Sequence, residues 1–224
     1  MARLQAIIFD VGGTLIYPSH PIGETYSRFA RAYGVKLIAE ETNLAFREAI
    51  KNAAPRPKGT VPSNGDDRSW WKNVVKTSLV GRSFSEPERF ETFFEEVYIY
   101  YAEPEAWNIY PEVIEVLEAL RDYSLELVVL SNWDARLHSV LDGNGLGEYL
   151  PRRFISSELG WEKPDPAIYR HVSDVLRIGP SSLLSVGDDL SNDVKGPRKA
   201  GWKAVQVNRP KRDLWAAVEI LKKG

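Results

Sequence analysis

Residues 4–9 form a short apolar run rich in isoleucine. The run ends in a lone carboxylate, Asp10, and a glycine-rich turn, Val11-Gly12-Gly13-Thr14-Leu15, follows at once. An apolar run of that length without polar alternation reads as a buried strand. What surrounds this strand follows from the second half of the chain.

Pro111 begins a helix with Val113, Val116, Leu117 and Leu120 on one face, since proline is tolerated in a first helical turn. Residues 125–130 read as a strand, a helix begins near Asp134 and ends in the loop 143–147, and Phe154-Ile155 is a short strand. Asp165-Pro166 caps a helix that carries Ile168, Val172, Val175 and Leu176 on one side. Residues 183–186 and 204–207 read as strands with a helix over 193–200 between them. Leu214, Ala217, Val218 and Leu221 make the final segment an amphipathic helix. Strands alternating with helices predict an α/β fold: a doubly wound, parallel, Rossmann-like sheet.

That alternation is interrupted after the first strand. From about residue 22 to 101 the chain looks helical, with Phe90, Phe93, Phe94, Val97 and Tyr101 spaced as one buried helical stripe. A Pro/Gly/polar stretch over 55–67 reads as a flexible loop, with 59–67 a candidate lid, and Ser69-Trp70-Trp71 opens the next helix. The expected organisation is a core of residues 1–16 and 108–224 with an inserted all-helical cap over 17–107.

Parallel sheets collect ligand groups beyond the carboxyl ends of their strands. Asp10, Ser131-Asn132, Lys163-Pro164 and Gly187-Asp188-Asp189 with Asp193 each lie just past an expected strand or in the loop after it. Read singly, each is bland: a strand end, a helix N-cap pair, a surface turn, a helix cap. Read together they describe a phosphate pocket. A carboxylate can attack phosphorus, but an anion approaching a phosphate dianion needs positive charge between them. Lys163 supplies one such charge. Mg²⁺ suits oxygen ligands, and Asp10, Asp188 and the Gly12 carbonyl offer them. Ser131, Asn132 and the N–H groups of the Gly12-Gly13 turn would bind phosphoryl oxygens. Asp193, with Asp189 beside it, would orient Lys163 or metal-bound water from behind.

This ordered set resembles the haloacid dehalogenase-like hydrolases over nearly the whole chain. The matching motifs are residues 10–15, Ser131-Asn132, Lys163 and 187–193, and the helical insertion resembles the cap of that family's first subfamily. The phrases Tyr110-Pro111-Glu112-Val113 and Glu162-Lys163-Pro164-Asp165-Pro166 are similar to its dehalogenase-like and phosphatase-like branch. The resemblance implies Asp10 as nucleophile, Mg²⁺ on Asp10, Asp188 and the Gly12 carbonyl, and Ser131 and Lys163 on the phosphoryl group. It also exposes a departure. Phosphatases of the family usually carry a second Asp two positions after the nucleophile, as acid and then base, and here that position is Gly12. General acid–base catalysis is worth about 10²–10⁴ in rate.

The expected function is a Mg²⁺-dependent phosphatase for a small phosphorylated metabolite, working through an aspartyl-phosphate and slowed unless its leaving group departs unprotonated. A catalytically weak phosphate-binding or regulatory protein is the alternative favoured by Gly12. A 2-haloacid dehalogenase is disfavoured by Asp188 and by the lack of an aromatic residue at position 12. Substrate contacts are expected from Trp70, Trp71 and His20 in the cap and from Trp133 after motif two. Net charge is −2, so no basic field draws the chain to nucleic acid, and the basic residues Arg209, Lys211, Arg212, Lys222 and Lys223 read as solvated surface. No apolar stretch is long enough to span a membrane, and the first strand follows the N-terminus too closely for a leader peptide. With no cysteine there are no disulfides, thiol nucleophiles or thiolate zinc sites, and the expected compartment is the cytoplasm.

Overall fold

The structure is a computed structural model that describes residues 3–54, 59–61 and 64–222. The strands are β1 (Ala6–Phe9), β2 (Ile16–Pro18), β3 (Trp107–Ile109), β4 (Glu126–Ser131), β5 (Arg152–Ile155), β6 (Leu183–Gly187) and β7 (Lys203–Gln206). The helices are α1 (Ile22–Arg31), α2 (Ala39–Asn52), α3 (Asn64–Thr77), α4 (Pro87–Tyr100), α5 (Val113–Arg121), α6 (Arg136–Gly143), α7 (Ser156–Leu159), α8 (Pro166–Leu176), α9 (Gly196–Lys199) and α10 (Trp215–Lys222). The chain divides into two compact units. One comprises Met1–Tyr17, Pro57–Val61 and Ile109–Gly224, the other Pro18–Arg56 and Pro62–Asn108.

The first unit is built on a five-stranded sheet of order β5-β4-β1-β6-β7, and every pairing in it is parallel. β1 lies at the centre, with Phe9 opposite Val129 on one side and Val186 on the other. Its four residues are all buried, which is why the sequence shows no polar alternation there. Ala6 and Ile8 join Val128, Leu130, Ile168, Tyr169 and Val172 in one core cluster, so α8 covers that face of the sheet. The chain builds outward from β1 through β4 and β5, then returns to the other side for β6 and β7. The carboxyl end of β1 is therefore the point where the winding reverses, which is where open α/β sheets bind their ligands.

The second unit is helical. α1 packs on α2 and α4, and α2 on α3. Its core joins Tyr26, Ala30, Val75, Leu79, Phe93, Phe94, Val97 and Tyr101, with Phe90 and Trp71 packed against it. The aromatic stripe expected on α4 is thus buried as a stripe, with Phe90 at its edge. No described helix is long and apolar enough to cross a membrane.

Several local expectations need correction. α3 begins at Asn64, so Ser69-Trp70-Trp71 lie inside it and residues 64–67 are helical, not loop. Residues 55–58 and 62–63 of the expected loop lie outside the described residues, as does Lys223. The helix expected over 193–200 begins earlier: Leu190–Lys195 winds as a π-helical turn that leads into α9. The expected cap of α8 is present, the Asp165 carboxylate accepting from the Ala167 N–H at 2.9 Å. α7 and the short pair β2 and β3 have no counterpart in the sequence reading.

Candidate active site

Three adjacent parallel strands deliver the site. Asp10 leaves the end of β1, Ser131 ends β4, and Asp188 follows Gly187 at the end of β6. The Asp10 N–H donates to the Val186 carbonyl at 2.9 Å, which locks the start of the loop to β6.

Lys163 is the hub. Its Nζ donates to Asp10 Oδ1 at 2.8 Å and to Asp193 Oδ1 at 2.7 Å. The side chains of Lys163 and Asp193 are only 4% and 2% exposed, so this ion triad is largely withdrawn from water. Burial alone would lower the lysine pKa, but the two carboxylates win and raise it well above its ordinary value, so Lys163 stays charged. Asp193 is pushed upward, first by burial and then by Asp10, against the pull of Lys163. Asp193 is also held from behind, its Oδ2 accepting from the Asp189 N–H at 3.0 Å. A side chain at position 187 would place Cβ 2.3 Å from Asp193 Cγ, so only glycine lets this carboxylate in.

Ser131 Oγ donates to the same oxygen of Asp10, Oδ1, at 3.0 Å. Asn132 does something not expected of it. Its amide nitrogen donates to the Lys163 carbonyl at 2.8 Å, and its amide oxygen accepts from the Lys163 N–H at 2.7 Å. Both ends of the side chain are therefore engaged in registering the lysine loop. Asp189 likewise turns away from the cluster. Its carboxylate caps the following turn, accepting from Ser191 and Asn192 N–H at 2.8 and 2.7 Å.

Gly13 has a left-handed backbone (φ 79°), and a Cβ there would lie 2.6 Å from Asp188 Oδ2. Glycine thus serves both the turn and the close approach of Asp188. Thr14, buried, donates its hydroxyl to Asp188 Oδ1 at 3.2 Å. Asp188 is exposed at its loop, yet its pKa is raised, chiefly by partial loss of water and then by Asp10. Carboxylate oxygens of Asp10, Asp188 and Asp193 lie within 4.8 Å of one another. An all-oxygen set suits a hard cation such as Mg²⁺. Both oxygens of Asp193 are engaged, by Lys163 and by the Asp189 N–H, whereas Lys163 and Ser131 reach Asp10 only through Oδ1, so Asp10 and Asp188 are the pair fitted to hold one.

At position 12 a Cβ would sit 3.3 Å from the Trp133 ring. The indole therefore fills space where an acid side chain would begin. Trp133 is fixed through its backbone, its N–H donating to Ser156 Oγ at 3.1 Å and its carbonyl accepting from the Ser157 N–H at 3.2 Å. Asp134 is buried and bound to Arg136 through Nε at 2.9 Å and Nη2 at 2.7 Å. His138 pairs with Glu158 at 2.8 Å, and His171 packs against Trp161. Trp161 itself supports the core cluster beneath α8.

His20, Trp70 and Trp71 belong to the second unit. His20 is exposed and lines a cleft of about 360 Å³ with Glu24, Arg28 and Arg31. Trp70 donates to the Ala54 carbonyl at 2.9 Å and meets Trp71 edge to face, while Trp71 packs on the core of its unit.

Sequence reasoning missed Thr14, Glu112 and Arg209. Arg209 was read as solvated surface, but its side chain is 17% exposed and bound to Glu112 and to the turn after Asp10. Hydrogen bonds from its own N–H, from Arg209 and from Leu214 hold Glu112 below the usual carboxylate range despite its burial. The only sequence signal was an arginine shortly after the last strand, on the edge where the site lies.

A family model described as haloacid dehalogenase-like hydrolase matches residues 4–201. The mouse haloacid dehalogenase-like hydrolase domain-containing protein 3 is 30% identical over 200 residues, 89% of this chain and 80% of the relative. A HAD phosphatase from Thermococcus onnurineus superposes with a TM-score of 0.67 at 24% identity, covering 97% of this chain and 98% of its own. L-2-haloacid dehalogenase from Xanthobacter autotrophicus gives 0.67 at 19% identity, covering 99% of this chain and 83% of its own. Likenesses that distant show a fold, and phosphatases and dehalogenases share it. The family model spans most of the chain and all four motifs, and on that ground the protein is a hydrolase of the haloacid dehalogenase-like family.

Proposed function

We propose that the protein is a Mg²⁺-dependent phosphohydrolase for a small phosphorylated metabolite, with Asp10 as nucleophile. The observation that carries this reading is the Lys163 ammonium shared between Asp10 and Asp193 beside Asp188, at the carboxyl end of the central strand. A haloacid has a single carboxylate to recognise and no need of a second acid at Asp188. A phosphate dianion needs positive charge on more than one side.

In the proposed reaction, Oδ2 of Asp10 attacks phosphorus in line with the leaving oxygen. We assign attack to Oδ2 because Oδ1 is the oxygen that accepts from both Lys163 and Ser131. The P–O bond to the leaving group breaks and the electron pair departs with that oxygen. Water then attacks phosphorus of the aspartyl-phosphate, the bond from phosphorus to Asp10 Oδ2 breaks with its electron pair returning to the carboxylate, and a water proton passes to solvent as inorganic phosphate leaves. Lys163 and the Gly12 N–H balance charge on the transferring group, the Gly13 N–H being taken by the Ile16 carbonyl, and Asn132 and Asp193 hold Lys163 in register. Mg²⁺, held by Asp10, Asp188 and the Gly12 carbonyl, would supply further positive charge. With glycine at position 12 and Trp133 in the space beside it, no acid side chain meets the leaving oxygen from there. The substrates best matched are acyl or aryl phosphates, whose leaving groups depart as stable anions. We assign substrate selection to the second unit as a helical cap, with Trp70, Trp71 and His20 as its candidate contacts, and to Trp133. We place the enzyme in the cytoplasm on its cysteine-free sequence.

The same Gly12 supports a second reading, phosphate binding with negligible turnover. One experiment separates the two: hydrolysis of an aryl phosphate with and without Mg²⁺, in the native protein and in Asp10→Asn. The phosphohydrolase reading expects metal-dependent turnover that Asp10→Asn abolishes. Turnover unaffected by that substitution refutes it, and calorimetric phosphate binding without turnover establishes the second reading.

A further inference from the structure

Arg209 grips the turn behind the nucleophile. Its Nη1 donates to the Gly13 carbonyl at 3.0 Å and its Nη2 to the Thr14 carbonyl at 2.8 Å. Nε and Nη2 also donate to Glu112 Oε1, at 2.9 and 2.6 Å. The guanidinium lies over the Tyr110 ring, with Cζ 3.6 Å from its centroid, and Tyr110 in turn packs on Tyr17 at 4.6 Å. The same Oε1 also accepts from the Leu214 N–H at 3.3 Å. One planar cation thus joins the loop after β7, the turn before α5 and the turn after β1.

What it holds matters for the site. The turn is pinned internally by Gly13 N–H donating to Ile16 at 2.8 Å and Leu15 N–H donating to Val11 at 2.8 Å. Its outward carbonyls at positions 13 and 14 are the ones Arg209 takes. Thr14, the second residue gripped, carries the hydroxyl that meets Asp188. Displacing the turn therefore shifts the backbone beside Asp10 and removes the partner of Asp188 together. A lysine offers a point charge and cannot span two carbonyls and a carboxylate while stacking on a ring.

We propose that Arg209 is a positioning residue. It fixes the Gly12–Thr14 turn, and through Thr14 the Asp188 carboxylate, in the arrangement that receives the phosphoryl group. The catalytic part of this inference rests on the phosphohydrolase reading; the mechanical part does not. The test is amide hydrogen exchange, with aryl phosphate kinetics alongside, in Arg209→Met and Arg209→Lys. In Arg209→Met the amides of Gly13, Thr14 and Leu15 should exchange about tenfold faster or more, while those of β4 and β6 are unchanged. The kcat should fall about ten- to a hundredfold, with little change in KM. Arg209→Lys, which keeps the charge and the aliphatic stem, should restore neither fully. Native exchange rates in the turn of either variant overturn the proposal, and so does full recovery by lysine. If Arg209→Met does not fold, Arg209→Lys carries the same comparison. If the native protein hydrolyses no aryl phosphate, the functional reading fails while the exchange rates still decide the role of Arg209.

Discussion

Replacing Lys163 by methionine keeps the stem and removes the charge, leaving Asp10 and Asp193 facing a thioether. The ammonium now sits 2.8 and 2.7 Å from those carboxylates, whose side chains are 12% and 2% exposed. Removing one partner of a buried ion pair costs about 3–5 kcal/mol, because a charge is left without compensation. Asp10 keeps some access to water, which argues for the lower end, about 3 kcal/mol. For a chain of this size that is a fall in Tm of roughly 6–12 °C. The loss should depend on pH. Lys163 has a folded pKa above its ordinary value, so its contribution is complete below the ordinary lysine pKa and is lost only as pH rises through the folded one. Asp193 has a raised folded pKa, and losing Lys163 removes the force that opposes the rise. Between its unfolded and folded values the folded variant holds a proton that the unfolded chain has released, so stability falls as pH rises. The deficit of Lys163→Met should therefore be larger at about pH 8 than at about pH 5. Thermal melts of the native protein, Lys163→Met and Lys163→Met/Asp193→Asn at both pH values decide it. The double variant should recover part of the loss at the higher pH and little at the lower. A single variant melting within about 2 °C of the native protein, or with equal deficits at both pH values, refutes the triad as the hub of the site.

Gly12→Asp should bring little gain toward alkyl phosphates by itself, since its Cβ meets the Trp133 ring at 3.3 Å. Combined with Trp133→Ala it should raise alkyl phosphate turnover by about tenfold or more; a single variant that performs as well as the double one shows that the indole does not control this position. Gly187→Ala should cost about 1–3 kcal/mol in a thermal or urea melt and lower turnover, because its Cβ would displace Asp193 from Lys163. Native stability and turnover in that variant would contradict the close packing described.

The sheet was legible because its strands are buried on both faces: Ile7-Ile8-Phe9 and Leu127-Val128-Val129-Leu130 leave no ambiguity of pattern. Asp10, Ser131 and Asp188 then follow from the rule that parallel strands present their carboxyl ends, whereas Lys163 lies beyond α7. The start of α3 was not legible. Asn64-Gly65-Asp66-Asp67 has loop composition, and nothing in that pattern marks a helix start. β2 and β3, three residues each, are too short to show periodicity. Arg209 was hidden by its neighbours Lys211 and Arg212, which made it look like solvent-facing charge. Its partners at Gly13, Thr14 and Glu112 are distant in sequence. The clasp of Asn132 on Lys163 was not legible, because sequence position fixes which strand end a residue occupies, not which way its amide turns.

Asn132 and Lys163 form a closed two-bond clasp between segments 31 residues apart, so neither can be transplanted alone. A scaffold given only the serine–asparagine pair would lack the loop those amide groups grasp, and one given only the lysine loop would let its cation drift. Anyone moving this chemistry onto another parallel sheet has to graft both segments as one cassette, with the spacing between the two strand ends preserved.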